Sequence, residues 1–549
     1  MSGASLAGPG LAGGFAAASF NQTPAFEDVD LFSSDAALRE AVARAGVDAQ
    51  KEALPAFGRA FGAAETMEWG RLANEHTPRL RVADAKGDRL DVVEFHPAYH
   101  DLMRLSMSAG LHCSAWEQGA AKTAARAARL FIATQVEAGH MCPTTMTNAA
   151  VAAFAAAPQL REAWLPRVTA RQYDLSFKPW WQKSAVTLGM GMTERQGGSD
   201  VRSNISKARA SGDHYLIDGH KWFMSAPMCD GFLVLAQTGP GPTCFLVPRF
   251  RPDGGVNRIE IRRLKDKLGN RSNASSEVEF HEAYAQILGA EGEGVRTILG
   301  MVQLTRLDCA VASAGQMRFG LALACHHARH RSAFGRSLID QPAMRGLLAD
   351  LALESEAATA LVFRLARAFD RADGDPQEAA FARLFTPAIK FHVCKMAPGF
   401  IYETLECLGG NGYVEDLPMA RLYREAPLNA IWEGAGNVMA LDVLRAAARM
   451  KESALGLVEE MAAGAPGGTG KALAASVIAG LRSNEPEAKA RGLASDLARL
   501  AELCALQEAD PQLAEAFGAT RAAAGERRLY GAADLGGAEQ LLLDRILTH

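Results

Sequence analysis

Long apolar runs are missing from this chain of 549 residues. No stretch of about 18 uncharged apolar residues occurs, whereas a helix crossing a bilayer core needs roughly 20. C-x-x-C pairs are also missing. The nine cysteines, at 113, 142, 229, 244, 309, 325, 394, 407 and 504, are scattered and odd in number, which argues against a disulfide framework or a zinc site. That pattern fits reduced thiols in a cytoplasmic protein. Neither sign of charge is in excess: a formal net charge of −4 gives no global attraction for nucleic acid. From Lys451 to His549 there are 10 Lys/Arg against 14 Asp/Glu, so a basic C-terminal domain is lacking as well. The opening MSGASLAGPGLAGGFAAASF has neither a basic n-region nor a compact apolar h-region, and reads as a retained, mobile arm rather than a secretory signal.

What is present, 48% hydrophobic and 22% charged residues with near-neutral hydropathy, describes an ordinary globular chain. Its length implies about two to four domains. After an arm over 1–34, residues 35–184 are Ala-rich, with apolar side chains three to four apart and no alternating strands, which predicts a helical domain. The period then changes. Tyr215–Ile217, Asp218-Gly219 and Lys221–Met224 predict a hairpin with an Asp-Gly turn. Further short or alternating runs at 232–236, 244–247, 258–262 and 277–280 extend this to an antiparallel β domain, a barrel, over 185–285. Residues 286–450 return to long amphipathic helices, with Met344, Leu347, Leu348, Leu351, Ala358, Leu361, Leu365 and Phe369 on one stripe, as in a bundle. Gly464–Gly470, rich in glycine and holding Pro466, marks a break within a C-terminal helical extension over 451–549. The fold class expected is mostly α with a central antiparallel β domain.

The stretch Gly189-Met190-Gly191-Met192-Thr193-Glu194-Arg195-Gln196-Gly197-Gly198-Ser199-Asp200 sits where helices give way to strands. Glycines let backbone N–H groups approach a phosphate, and Thr193 and Ser199 offer short hydroxyls; a structural Gly/Ser turn is the competing reading. It is not the G-x-G-x-x-G of a dinucleotide-binding unit. Read with its neighbours, GMTERQGGSDVRS resembles the first signature of the acyl-CoA dehydrogenase superfamily, whose members bind FAD. Asp218–Ser225 is similar to that family's flavin-facing hairpin, with Phe223 at the aromatic position and Ser225 at the hydroxyl position. Arg331-Ser332-Ala333-Phe334-Gly335 with Gln341 resembles the element that reaches the FAD of a neighbouring subunit. Glu406–Glu425, containing Gly409-Gly410-Asn411-Gly412, resembles the second signature, and Ile431–Asn437 resembles the segment that carries the catalytic base.

The resemblance implies Glu433 as the base that removes an acyl-CoA α-proton. It also implies a cofactor shell of Met190, Met192, Thr193, Gly198, Ser199, Phe223, Met224, Ser225, Arg331, Phe334, Gln341, Gly409, Gly410, Trp432, Gly434 and Asn437, and substrate contacts at Arg306 and Arg424. A carboxylate suits the chemistry, because a buried base of raised pKa can take a weakly acidic proton while flavin accepts the electrons. Trp432 in place of the usual tyrosine, the N-terminal arm and the C-terminal extension resemble the AidB-like, alkylation-response branch. That branch implies a homotetramer, arranged as a dimer of dimers. Two functions stay open: an acyl-CoA dehydrogenase-like flavoenzyme acting on an acyl thioester, or a DNA-associated protective flavoprotein with vestigial dehydrogenase activity. Arg445, Arg449, Lys451, Arg482, Arg521, Arg527 and Arg528 are the candidates for a duplex DNA groove, against separate solvated arginines on an acidic tail. His326, His327 and His330 include an i,i+4 pair but lack a completing ligand, and read as a solvated helix face with no metal. Gln303 stands where an Asp usually engages CoA, Thr305 where isovaleryl-type enzymes keep an alternative base, and Ala435 replaces a hydroxyl residue.

Overall fold

Apolar residues three and four apart drive the first third of the chain into helices. The computed structural model describes residues 21–466, 468–522 and 535–546. In it these helices are α1 (Ala36–Arg44), α2 (Leu54–Gly62), α3 (Ala64–Glu75), α4 (Pro97–Ser108), α5 (Lys122–Val136), α6 (Met141–Ala153) and α7 (Pro158–Val168). Asp35 caps α1 by accepting the Leu38 N–H. α5 is buried over most of its length, which its arginine Arg126 tolerates through a two-pronged pair with Asp308 at 2.6 and 2.8 Å. A purely helical domain is not what forms, however. Strands β1 (Arg79–Ala83) and β2 (Arg89–Glu94) make an antiparallel hairpin. The alternation Leu80, Val82 and Leu90, Val92 around Gly87 is visible in the sequence, but the Ala-rich helices on either side obscure so short a pattern.

Residues 1–20 of the expected arm, with Arg527 and Arg528, lie outside the described residues. The remainder of the arm is docked. Leu31 and Phe32 are buried, Asn21 exchanges two 2.7 Å hydrogen bonds with Ser332, and Thr23 meets His327 Nδ1 at 2.8 Å. His326 Nε2 lies 2.9 Å from the Pro24 carbonyl. Two of the three histidines expected on a solvated face, His326 and His327, therefore hold this segment, and His327 is buried, while His330 stays exposed.

Strands β3 (Leu188–Gly191), β4 (Lys207–Ser211), β5 (His214–Ser225), β6 (Gly231–Thr238), β7 (Gly241–Pro248), β8 (Ile259–Leu264) and β9 (Ser275–Leu288) form one sheet. Its order β3-β6-β4-β5-β9-β7, with β6 also pairing β7, closes it into a barrel. Most pairs are antiparallel, but β3 and β4 run parallel to β6, so the sheet is mixed. The predicted Asp-Gly turn is absent: β5 runs straight through it. Gly219, at φ +148°, is a bulge where the register with β9 slips, and a Cβ there would collide with Ser206. The reversal comes earlier, at Gly212 and Asp213, between β4 and β5.

Helices α8 (Gly294–His330), α9 (Pro342–Arg371) and α10 (Pro376–Cys407) form the bundle, with short α11 (Gly410–Tyr413) and α12 (Pro418–Glu425), then α13 (Gly436–Met450). A two-residue hairpin, β10 (Ser332–Ala333) and β11 (Arg336–Ser337), follows α8. Beyond it all, α14 (Glu452–Gly464), α15 (Thr469–Leu481), α16 (Pro486–Ala509), α17 (Pro511–Phe517) and α18 (Ala538–Ile546) complete the described chain, and the break between α14 and α15 falls on the predicted glycine-rich stretch. This extension shares its core with the bundle, since Leu497 and Leu542 belong to the same apolar cluster as Leu351 and Leu361. All nine cysteines are unpaired, eight of them buried.

Candidate active site

The glycine-rich stretch is held from below by packing. A Cβ on Gly189 would come within 2.7 Å of the Phe232 ring, and one on Gly191 within 3.2 Å of Lys221 Cγ. One on Gly198 would collide with the Thr193 hydroxyl. The Trp222 N–H donates to the Thr193 carbonyl at 2.9 Å, which fastens the loop to β5. Beneath it Glu194 and Lys221 form a fully buried ion pair at 2.8 Å, and Lys221 also donates to the Leu235 carbonyl. Burial alone would raise the Glu194 carboxyl; Lys221 and the backbone N–H of Ile205 bring it down to about 2. Thr193 is half-buried, and Gly198 and Ser199 are exposed at the loop's crest.

On β5 the three predicted residues split by pleat. Met224 is buried, Ser225 is half-buried, and Phe223 stands 52% exposed, a large apolar ring open to a ligand. Lys265 Nζ lies 3.6 Å from the Trp222 ring centre and 4.6 Å from that of Phe223, and is anchored at 2.5 Å by Glu277. Ser225 Oγ lies 3.3 Å from Ser275 Oγ and beside the Cys142 thiol of α6. Burial pushes that thiol up to about 12, so Cys142 packs as a neutral group. Lys267, which donates to the Asn273 carbonyl at 2.6 Å, is brought down to about 8 by burial.

Glu433 occupies the turn between α12 and α13 in the left-handed region, at φ +57°. The Thr305 hydroxyl donates to its carboxylate at 2.7 Å. Arg306 Nε donates to its carbonyl at 3.1 Å, while Lys390 Nζ donates to the carbonyls on either side, Trp432 at 2.9 Å and Gly434 at 2.6 Å. Burial raises the Glu433 carboxyl above its ordinary range; Thr305, Arg306 and Lys390 oppose that shift without cancelling it. Trp432 is fixed by its indole N–H, which donates to Asn429 at 2.9 Å.

These groups converge. Trp432 and Met190 pack on the one apolar cluster that contains Met224, Ala226 and Cys142, and the charge of Glu433 reaches Cys142, the neighbour of Ser225. Met192 and Leu304, adjacent to Thr305, share a second cluster. The loop, the end of β5 and the Glu433 turn thus border one region. Arg331, Phe334 and Gln341 lie elsewhere: Arg331 follows 25 residues after Arg306 along α8, about 37 Å at the helical rise. Phe334 is fully exposed, and Gln341 donates to the Ala333 carbonyl. Gly409, at φ +59°, ends α10, and Gly410 opens α11.

Three expected contacts are otherwise engaged. Arg306 is buried, with its guanidinium bonded to Asp442 at 2.7 Å and to the Glu433 carbonyl. Arg424 pairs with Glu415. Asn437 accepts from Arg491 of α16 at 2.7 Å. Sequence reasoning passed over Lys390, Lys265, Lys267 and Cys142. Lys390 had a signal, a single lysine inside the apolar run Phe385–Val393, the kind of cation that is seldom buried without a job.

Comparison with known proteins places these segments in a family context. The description "Adaptive response protein AidB N-terminal domain" matches residues 21–175, "Acyl-CoA dehydrogenase, middle domain" matches 189–283 and "Acyl-CoA dehydrogenase, C-terminal domain" matches 292–448. The chain is 51% identical over 436 residues to the putative acyl-CoA dehydrogenase AidB of Escherichia coli strain K12, covering 78% of this chain and 79% of that one. It is 31% identical over 404 residues to acyl-CoA dehydrogenase family member 11 of Caenorhabditis elegans, covering 69% and 64%. Among solved structures, Caenorhabditis elegans ACDH-11 in complex with C11-CoA superposes with a TM-score of 0.81 at 26% identity, over 96% of this chain and 92% of that one.

Proposed function

Because this chain belongs to the acyl-CoA dehydrogenase family, in the branch of AidB, we propose that it is an FAD-dependent flavoprotein in which Glu433 removes the α-proton of an acyl thioester. The observation that carries this reading is the Glu433 turn: a carboxylate made more basic by burial, bonded by Thr305 and packed through Trp432 against the strand ends that present Phe223 and Ser225.

The residues present fit a flavin. Phe223 offers an exposed ring face, Ser225 a hydroxyl with only a 3.3 Å hydroxyl neighbour and a thiol beside it, and Gly198 a surface without a side chain next to the Thr193 hydroxyl. FAD, when bound, supplies the two-electron acceptor that oxidation of a saturated acyl chain requires. The protein's own part is to hold substrate and to move one proton. Glu433 accepts the α-proton at its carboxylate, and a raised pKa narrows the gap to so weak an acid. Its backbone N–H is assigned to the thioester oxygen, where negative charge develops. Trp432 and Ile431, the latter 61% exposed, supply apolar surface that excludes water from the acyl chain.

Arg331, Phe334 and Gln341 are assigned to the FAD of a neighbouring subunit in a tetramer. The span of α8 keeps them from the same chain's Glu433, and the fully exposed Phe334 calls for a partner surface. The alternative of a DNA groove loses one of its basic residues, because Arg521 is paired with Asp350 and Glu354.

The test is an anaerobic titration of the purified yellow protein with short, branched and long acyl-CoAs, C11-CoA among them. Bleaching of the flavin band is expected in the wild type, and Glu433→Gln is expected to retain FAD without bleaching. An oxidised wild-type flavin throughout the panel contradicts the proposal.

A further inference from the structure

Lys390 lies in the middle of α10, 1% exposed, where no solvent can stabilise its ammonium. Among the described residues no carboxylate lies at ion-pair distance from it; its partners are the carbonyls of Trp432 and Gly434. A buried cation without a close counter-ion is costly, so its place in the fold needs a reason. The reason lies between its two acceptors. With Arg306 on the Glu433 carbonyl, three successive carbonyls, 432, 433 and 434, are each held by a cation, and the residue at their centre has the left-handed backbone that a side chain other than glycine disfavours.

Two cations, Arg306 and Lys390, favour the ionised Glu433 carboxylate, and of the two only Lys390 has no carboxylate of its own at ion-pair distance among the described residues. On α8, Asp308 is neutralised by Arg126 of α5, and Arg306 shares Asp442 of α13 with Arg383 of α10. The thiols of Cys309, Cys394 and Cys142 face the same region, all raised by burial and therefore neutral. We propose that Lys390 is a positioning residue of the reaction, whose ammonium fixes the left-handed turn that presents the Glu433 carboxylate and balances the charge of that carboxylate in its resting, proton-accepting form. The inference rests on Glu433 being the base. It is distinct from that reading, because the lysine does not bond the carboxylate itself and meets Trp432 and Gly434 only through their backbone carbonyls.

The experiment compares FAD-loaded wild type, Lys390→Met and Lys390→Gln, the last keeping a donor for one carbonyl but no charge. The Glu433 titration is followed by infrared spectroscopy, through the carboxyl band that vanishes in Glu433→Gln. Removing a nearby cation favours the neutral acid, so the midpoint is expected to rise by about one pH unit or more in Lys390→Met and by less in Lys390→Gln. Flavin reduction by acyl-CoA is expected to fall about tenfold at neutral pH and to recover as the pH is raised, with the half-saturating acyl-CoA concentration unchanged. An unshifted midpoint in folded, flavin-loaded variants overturns the proposal. Failure of both variants to fold does so equally, since Lys390 would then be part of the scaffold only. Continued flavin reduction by Glu433→Gln would instead remove the base assignment and leave the infrared result standing on its own.

Discussion

At the scale of single residues, the 2.7 Å bond from Thr305 to Glu433 has a measurable consequence. A donor to an ionised carboxylate stabilises the charged form, so Thr305→Val is expected to raise an already elevated pKa further. The acid limb of the pH profile for flavin reduction should move upward by about one unit, the equivalent of one hydrogen bond to a charge. A profile identical to the wild type would mean that the bond is not made in solution. The motif from which the role of Glu433 is proposed was legible in the sequence because it is made of adjacent residues, Trp432 on one side and Gly434 on the other. Lys390 and Arg306 were not, since they act on the turn from 43 and 127 positions away and nothing local marks that contact. Arg306 was visible as a family arginine, but its two engagements, with Asp442 and with the Glu433 carbonyl, appear only in three dimensions.

At the scale of elements, β5 and the loop after β3 form one unit through Glu194 and Lys221. Lys221→Met would leave a carboxylate buried without its partner, a change that costs about 3–5 kcal/mol in such pairs. Thermal unfolding should show the loss, and the double variant Lys221→Met with Glu194→Gln should recover much of it. Equal melting of the single variant and the wild type would contradict the account. The barrel was legible from its period-two runs, yet two of its details were not. Asp218-Gly219 has the composition of a tight turn, but here Gly219 permits close approach of Ser206 and a change of register, which depend on β4 and β9. The parallel pairing of β3 with β6 joins segments about 40 residues apart, beyond what alternation can report. The hairpin of β1 and β2 was readable and was hidden by its helical surroundings.

At the scale of the whole molecule, barrel and bundle meet at Glu425. Its carboxyl accepts the Asn270 N–H at 2.7 Å, and burial, reinforced by Glu137, pushes it up to about 7. A carboxyl with a folded pKa above its unfolded value near 4.5 binds protons more tightly in the fold. Its contribution to stability is therefore fully present below about pH 4.5 and is lost as the pH rises through 7. Relative to Glu425→Gln, the wild type should lose about 3 kcal/mol across that window, the value of a shift of this size. Denaturant midpoints at several pH values test it, and parallel curves for the two proteins would refute it. The C-terminal extension is joined in a similar way: Arg521 pairs with Asp350 and Glu354, and Arg545 with Glu356 and Glu40. Its helices were predictable from composition. Its attachment was not, because the acids lie on α9 and, for Glu40, on α1, with the arginines at least 165 positions later.

The central claim is that Glu433 takes a proton from the carbon next to a thioester. Exchange of that proton for solvent deuterium, followed by mass spectrometry of an acyl-CoA incubated anaerobically in heavy water with FAD-loaded protein, reports the step directly and needs no external electron acceptor. The account predicts exchange with the wild type and none above the uncatalysed rate with Glu433→Gln. Equal exchange by the two proteins would contradict it.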